Sequence, residues 1–125
     1  MIIAKERGFS MSIHEQILTG AHPANTPITP SDVHQIMGAG VEYVLLDVRT
    51  QDEFNHGHIK GAVLLPVDNL RRLAPSLLPD KEALILIYCN TGNRAALAVK
   101  MLGRLGYTSI ASFGGIVNWP YEVVT

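Results

Sequence analysis

Two uninterrupted apolar runs stand out along the chain. One is Tyr43-Val44-Leu45-Leu46, the other the six residues Ala83-Leu84-Ile85-Leu86-Ile87-Tyr88. Runs of this kind, rich in Ile and Leu, predict strands covered on both faces, as in a parallel sheet. The first reads as a strand over 41–48, the second as a strand over 83–88. After the second run, Ala98, Met101, Leu102 and Leu105 recur at i, i+3, i+4 and i+7. That spacing predicts a helix over 95–105, with Gly106 as its C-terminal stop. Gly61 to Pro66 predicts a short strand closed by proline. Asp68 to Leu73 reads as a helical segment stopped before Pro75. Thr108 to Phe113 reads as a last strand, followed by a Gly114-Gly115 turn and a helical turn from Ile116 to Trp119.

Polar residues mark the helix starts. Thr29-Pro30-Ser31-Asp32 offers an N-cap, a proline at the first helical position and a carboxylate that favours the helix dipole. Val33, Ile36 and Met37 supply the apolar face of that helix, and Gly38 with Gly40 ends it. Thr50-Gln51-Asp52-Glu53 has the spacing of a capping box. Strands and helices thus alternate about four times, which predicts an α/β fold: an open, mostly parallel central sheet with helices on both faces. Ligands in such sheets bind beyond the carboxyl ends of the strands. Cys89 and Gly114-Gly115 both follow such ends and are expected on the same edge. Residues 1–27 have no comparable pattern. Ile13, Ile17 and Leu18 suggest one short amphipathic turn, broken by Gly20, Pro23 and Pro27. They are expected to form an N-terminal extension, serving as packing or an oligomer contact, ahead of a single domain over 28–125.

The 125 residues suffice for one domain. A net charge of -1 leaves no broad basic footprint, so neither nucleic acid nor an anionic membrane is an expected partner. One cysteine excludes an internal disulfide and fits a reducing compartment. Charge appears within the first eight residues, with no apolar core of a secretory signal. No stretch approaches the roughly 18 apolar residues of a membrane span. A cytoplasmic location is expected.

Candidate chemistry concentrates in Cys89-Asn90-Thr91-Gly92-Asn93-Arg94, between the second apolar run and the helix that follows. A strand-to-helix turn aims successive backbone amides at one point and sets them at a helix N-terminus, a place that favours an anion. Thiolate is the reactive form of cysteine, and such a position favours it. The competing reading is a buried, inert cysteine. Asn, Thr, Gly and Asn are poor core neighbours and good loop formers, and Arg94 adds a cation, so the nucleophile is the stronger reading. Asp47, Arg49 and Glu53 cluster at a strand end, where ion pairs fixing a loop explain them better than catalysis does. His56-Gly57-His58 lacks the third and fourth ligands a metal needs, so no metal is expected. Arg71 and Arg72 read as a solvated face that could border the approach to an anionic donor.

A cysteine opening a six-residue loop that closes on arginine, after a hydrophobic strand, resembles the active-site loop of rhodanese-like sulfurtransferases. The resemblance extends to Asp47-Val48-Arg49, Glu53-Phe54, Gly57-His58-Ile59 and Gly61-Ala62 upstream, and to Gly114-Gly115 and Trp119 downstream. In order and spacing these cover about residues 28–121, and together they are specific. The resemblance implies a single-domain sulfurtransferase in which Cys89 carries sulfur as a persulfide. Asn90, Thr91, Gly92, Asn93 and Arg94 would bind substrate, and Asp47, Arg49, Glu53 and His58 would support the fold. It implies no cofactor. Many such loops carry a second cation after the cysteine or a hydroxyl after the final arginine, where this chain has Asn90 and Ala95.

The reaction expected is attack of Cys89 thiolate on the outer sulfur of thiosulfate or a thiol persulfide or polysulfide, then transfer to a thiol or cyanide acceptor, with a protein acceptor left open. Two rivals differ in sequence terms. A phosphatase or arsenate reductase also surrounds a cysteine and an arginine with amides, but with five residues between them rather than the four here. A non-catalytic rhodanese-like interaction module would usually lack the cysteine. Donor, acceptor and oligomeric state are not legible in the sequence.

Overall fold

The computed structural model describes residues 11–23 and 25–125, so the signal-free reading of the first eight residues lies outside the described residues. Four parallel strands form the central sheet in the order β3-β1-β4-β5: β1 Val44–Asp47, β3 Val63–Leu64, β4 Ile85–Cys89 and β5 Ile110–Gly115. Helices α1 (Ile13–Thr19), α2 (Pro30–Gly38), α3 (Gln51–His56), α4 (Val67–Leu77) and α5 (Asn93–Arg104) flank it. The α/β architecture read from alternating patterns is the one observed.

β4 is buried at every position, and its period of two divides the core. Ile85, Ile87 and Cys89 pack with Leu70 and Ala74 of α4 and Ala95, Ala98 and Leu102 of α5. Leu84, Leu86 and Tyr88 pack with Val33 and Ile36 of α2 and with Ile17, Phe113 and Trp119. Each fully buried Leu or Ile contributes about 1.5–3 kcal/mol. These two layers hold the sheet rigid beneath the Cys89 loop.

Cap chemistry sets the helix starts as expected. Thr29 and Asp32 form a capping box with Pro30 in the first turn, and Thr50 and Glu53 form another. The expected turn near Ile13 is a seven-residue helix, capped by Ser12 and Glu15 and ended by left-handed Gly20. Its Ile17 is buried in the second core layer, and the Ile28 amide donates to the Ser112 carbonyl on edge strand β5.

Several boundaries differ from expectation. The first strand runs over Val44–Asp47 rather than 41–48, and the second takes in Cys89 while leaving out Ala83 and Leu84. The following helix starts at Asn93, two residues early. Gly114 and Gly115 finish β5 instead of forming a turn after it. α4 does not stop before Pro75 but runs on to Leu77. Pro75 is exposed, buried Leu70, Ala74 and Leu78 anchor the stretch, and the Tyr107 hydroxyl lies 3.0 Å and 2.6 Å from the Ala74 and Leu78 carbonyls. Packing there outweighs the donor that proline removes. A two-stranded antiparallel ladder joins β2 (His58–Ile59) and β6 (Val123–Val124), and no sequence pattern marks it, because two-residue strands carry no period.

Candidate active site at the Cys89 loop

β4 delivers Cys89 to the carboxyl end of the sheet, where it pairs with Gly115 across an irregular step in the β4–β5 ladder. The chain then turns through Asn90 and Thr91 to Gly92, the N-cap of α5, which sits at φ 119. A glycine N-cap has no side-chain oxygen to offer the free amides of the first helical turn. The sulfur of Cys89 takes that place. It accepts the Gly92 amide at 3.0 Å and the Ala95 amide at 3.4 Å. On its other side the Gly114 carbonyl oxygen lies 4.0 Å away.

The expectation of a cradle made by the amides of residues 90–94 is met by Gly92 within that set and by Ala95 outside it. Ala95 is the third residue of α5; its role would have been legible had the helix been started at Asn93 instead of Ala95. Thr91 and Asn93 are exposed and Asn90 is half-buried. Cys89 itself is only 1% exposed and belongs to the core layer under α4 and α5. The sulfur is therefore more enclosed than an open rim would make it, yet amides are turned toward it.

Arg94, which closes the loop, engages a carboxylate. Its two terminal nitrogens donate to the two carboxylate oxygens of Glu53, at 2.7 and 2.9 Å, a bidentate pair across 41 residues of sequence. Glu53 also accepts from the amide and hydroxyl of Thr50. The hydrogen bonds from Arg94, foremost, hold the Glu53 carboxyl down at about 2, against the opposing effect of burial. Arg94 is shifted up, chiefly by Glu53, with smaller electrostatic contributions from Cys89 and Asp47.

A second pair sits at the end of β1. Asp47 is fully buried and accepts from the Arg49 side chain at 2.7–3.1 Å and from the Arg49 amide at 2.9 Å. Arg49 also donates to the Gly57 carbonyl at 2.7 Å, tying β1 to the end of α3. Burial opposes the Arg49 charge, but Asp47 outweighs it and raises the guanidinium. The guanidinium carbon lies 5.6 Å from the Tyr88 ring centre, and the Tyr88 hydroxyl accepts the Ile59 amide at 3.0 Å. Burial, followed by Asp47, pushes that phenol up. In the sequence Tyr88 only ends an apolar run, and no local signal marks its polar role.

His58 is half-buried, donates Nδ1 to the Phe54 carbonyl at 2.9 Å and stacks on the Phe54 ring at 3.7 Å. His56 is exposed and spends Nδ1 on the Asp52 carbonyl. The fold thus gathers Cys89, Gly92, Arg94 and Glu53 at one place, with Asp47 and Arg49 at the neighbouring strand end. His58 lies against α3. Among the described residues no helix is long and apolar enough to cross a membrane.

An α/β sheet whose central strand ends on a cysteine, capped by the amides of the next helix and flanked by an Arg–Glu pair, defines a class of domain that comparison with known proteins names. The Rhodanese-like domain family matches residues 29–121, and the chain belongs to that family. Thiosulfate sulfurtransferase PspE of Escherichia coli K12 is 30% identical over 71 residues, covering 57% of this chain and 68% of that protein. The probable adenylyltransferase/sulfurtransferase MoeZ of Mycobacterium tuberculosis is 34% identical over 100 residues; the match takes in 77% of this chain but only 25% of that larger protein. A rhodanese-related protein from Thermoplasma volcanium shares the fold with a TM-score of 0.67 and 32% identity, covering 78% of this chain and 96% of that one. At family level the chain is a sulfurtransferase-type domain.

Proposed function

We propose that this domain is an enzyme that transfers sulfane sulfur through a persulfide on Cys89. The observation that carries the reading is the pair of main-chain amides, from Gly92 and Ala95, directed at the cysteine sulfur. Cys89 thiolate attacks the outer sulfur of thiosulfate or of a thiol persulfide or polysulfide. A new S–S bond forms to Sγ, the donor's S–S bond breaks, and its electron pair leaves with sulfite or thiolate. A thiol or cyanide, or a thiol on a protein acceptor, then takes the outer sulfur and restores the thiolate. The preorganised amides stabilise the anionic sulfur in both states. No cofactor, nucleic acid or membrane enters the reaction. Four residues between Cys89 and Arg94 make a ring suited to one sulfur atom rather than to phosphate. A single cysteine fits a reducing compartment such as the cytoplasm. Residues 1–27 act as an extension to the domain over 28–125.

The near-complete burial of Cys89 favours a second reading, a rhodanese-like module that docks a partner without catalysis. Intact-mass measurement after incubation with thiosulfate, then with glutathione persulfide, separates the two. Transfer predicts a gain of about 32 Da, one sulfur atom on the nucleophile, lost again with cyanide and absent in Cys89→Ser. No adduct from any donor favours the docking module, and phosphate release from an aryl phosphate would reinstate a phosphatase.

A further inference from the structure

We infer that Glu53 sets the charge preference of the sulfur donor: by engaging Arg94 on both carboxylate oxygens, it biases the Cys89 loop toward donors of low charge and against dianionic thiosulfate. This inference rests on the sulfur-transfer reading and deepens it. Arg94 is the guanidinium of the loop itself, five positions after Cys89. Each of its terminal nitrogens donates one N–H to Glu53, at 2.7 and 2.9 Å, so the guanidinium charge is matched by a carboxylate. Arg49, at the neighbouring strand end, is likewise matched by Asp47 at 2.7 Å. The four charges sum to zero, and the donors on the Cys89 sulfur are the neutral amides of Gly92 and Ala95. Two amides suit one negative sulfur; a second negative charge on the donor meets a thiolate beside a cluster with no net positive charge to offset it.

Thiosulfate and methanethiosulfonate isolate the effect, because both present an outer sulfur on a sulfonyl group and differ by one charge. With thiosulfate, Cys89 thiolate gains the outer sulfur, the donor S–S bond breaks and its electron pair leaves as sulfite. With methanethiosulfonate the same bond breaks and methanesulfinate leaves. Charge balances in each case and no oxidant or reductant is needed.

The test is the rate of Cys89 persulfide formation with each donor, in the parent chain and in Glu53→Gln, followed by intact mass and by turnover with cyanide. Gln keeps an acceptor for the Thr50 amide while removing the charge. Glu53→Gln is expected to raise the thiosulfate-to-methanethiosulfonate ratio of kcat/KM roughly three- to tenfold, the scale of one charge acting on a dianion across partly solvated protein, with the gain in the KM for thiosulfate. The gain should shrink between about 20 mM and about 0.5 M salt. In the parent chain, which needs no variant, thiosulfate turnover should rise with salt relative to methanethiosulfonate, as for like-charged reactants. An equal fall with both donors would mean that Glu53 only supports the loop, and would overturn the inference. So would a parent ratio that falls with salt. If the parent chain forms no adduct with either donor, the sulfur-transfer reading itself fails, a result distinct from an adduct whose donor ratio Glu53 does not move.

Discussion

Gly115 lies so close to Asn90 that a Cβ at position 115 would overlap the Asn90 carbonyl oxygen and crowd the Thr91 amide. The last residue of β5 thereby acts as a floor under the turn that follows Cys89. The Val117 amide adds a hydrogen bond to the same Asn90 carbonyl at 3.3 Å, so the loop is held from below by main chain.

Gly115→Ala should therefore disturb the loop directly, since backbone rather than a flexible side chain must give way. The expected cost is roughly 1–3 kcal/mol of stability, read from urea unfolding. Sulfur-adduct formation at Cys89 should slow by roughly ten- to a hundredfold, because the amides no longer meet the sulfur in register. Wild-type stability in this variant would show that the loop can move aside.

Asp47→Asn removes one member of a buried pair and leaves the Arg49 side chain, 5% exposed, without its counter-charge. Breaking such a pair costs roughly 3–5 kcal/mol, and a second change, Arg49→Met, should recover part of it. Equilibrium unfolding of the single and double variants checks both statements; a single variant as stable as the parent would contradict the ion-pair role.

Tyr88→Phe keeps the ring among Phe113 and its neighbours but strips the acceptor from the buried Ile59 amide. An unpaired buried amide costs about 1–3 kcal/mol. The Ile59 amide should also lose protection from hydrogen exchange, and unchanged protection would show that another acceptor serves it.

Glu53 predicts a pH dependence. Its folded-state value, about 2, lies below its ordinary 4.5, so the unfolded chain takes up the proton first as acid is added. The stabilisation is complete above about pH 4.5 and is lost as pH falls toward about 2. Glu53→Gln should flatten the stability curve across that window while leaving its slope at higher pH alone. Both partners of the pair are about one-third exposed, so the effect is expected at the scale of a surface pair, up to about 1 kcal/mol. Parallel curves for the two proteins in that window would rule out the assignment.

Local chemistry written in consecutive residues is legible in the sequence itself. Apolar runs at 43–46 and 83–88, the capping boxes at Thr29 and Thr50, and the glycines after α2 and α5 define elements by steric and hydrogen-bonding rules that act over a few positions. They were enough for the α/β class, for the loop at Cys89 and for the family resemblance. Element ends were less legible, because whether a strand takes in Cys89, or a helix passes Pro75, depends on what packs against it.

Tertiary structure alone decided the rest, since it depends on residues far apart in the chain. By sequence Arg94 is a free cation; the fold sets Glu53, 41 positions earlier, against it. The enclosure of the Cys89 sulfur, the fit of Gly115 under Asn90, the Tyr88 hydroxyl on Ile59 and the β2–β6 ladder likewise arise only when the sheet brings distant strand ends together. A sequence determines which groups are available and their local geometry; the charge balance and accessibility of the site follow from which of them the folded chain places within a few ångströms of one another.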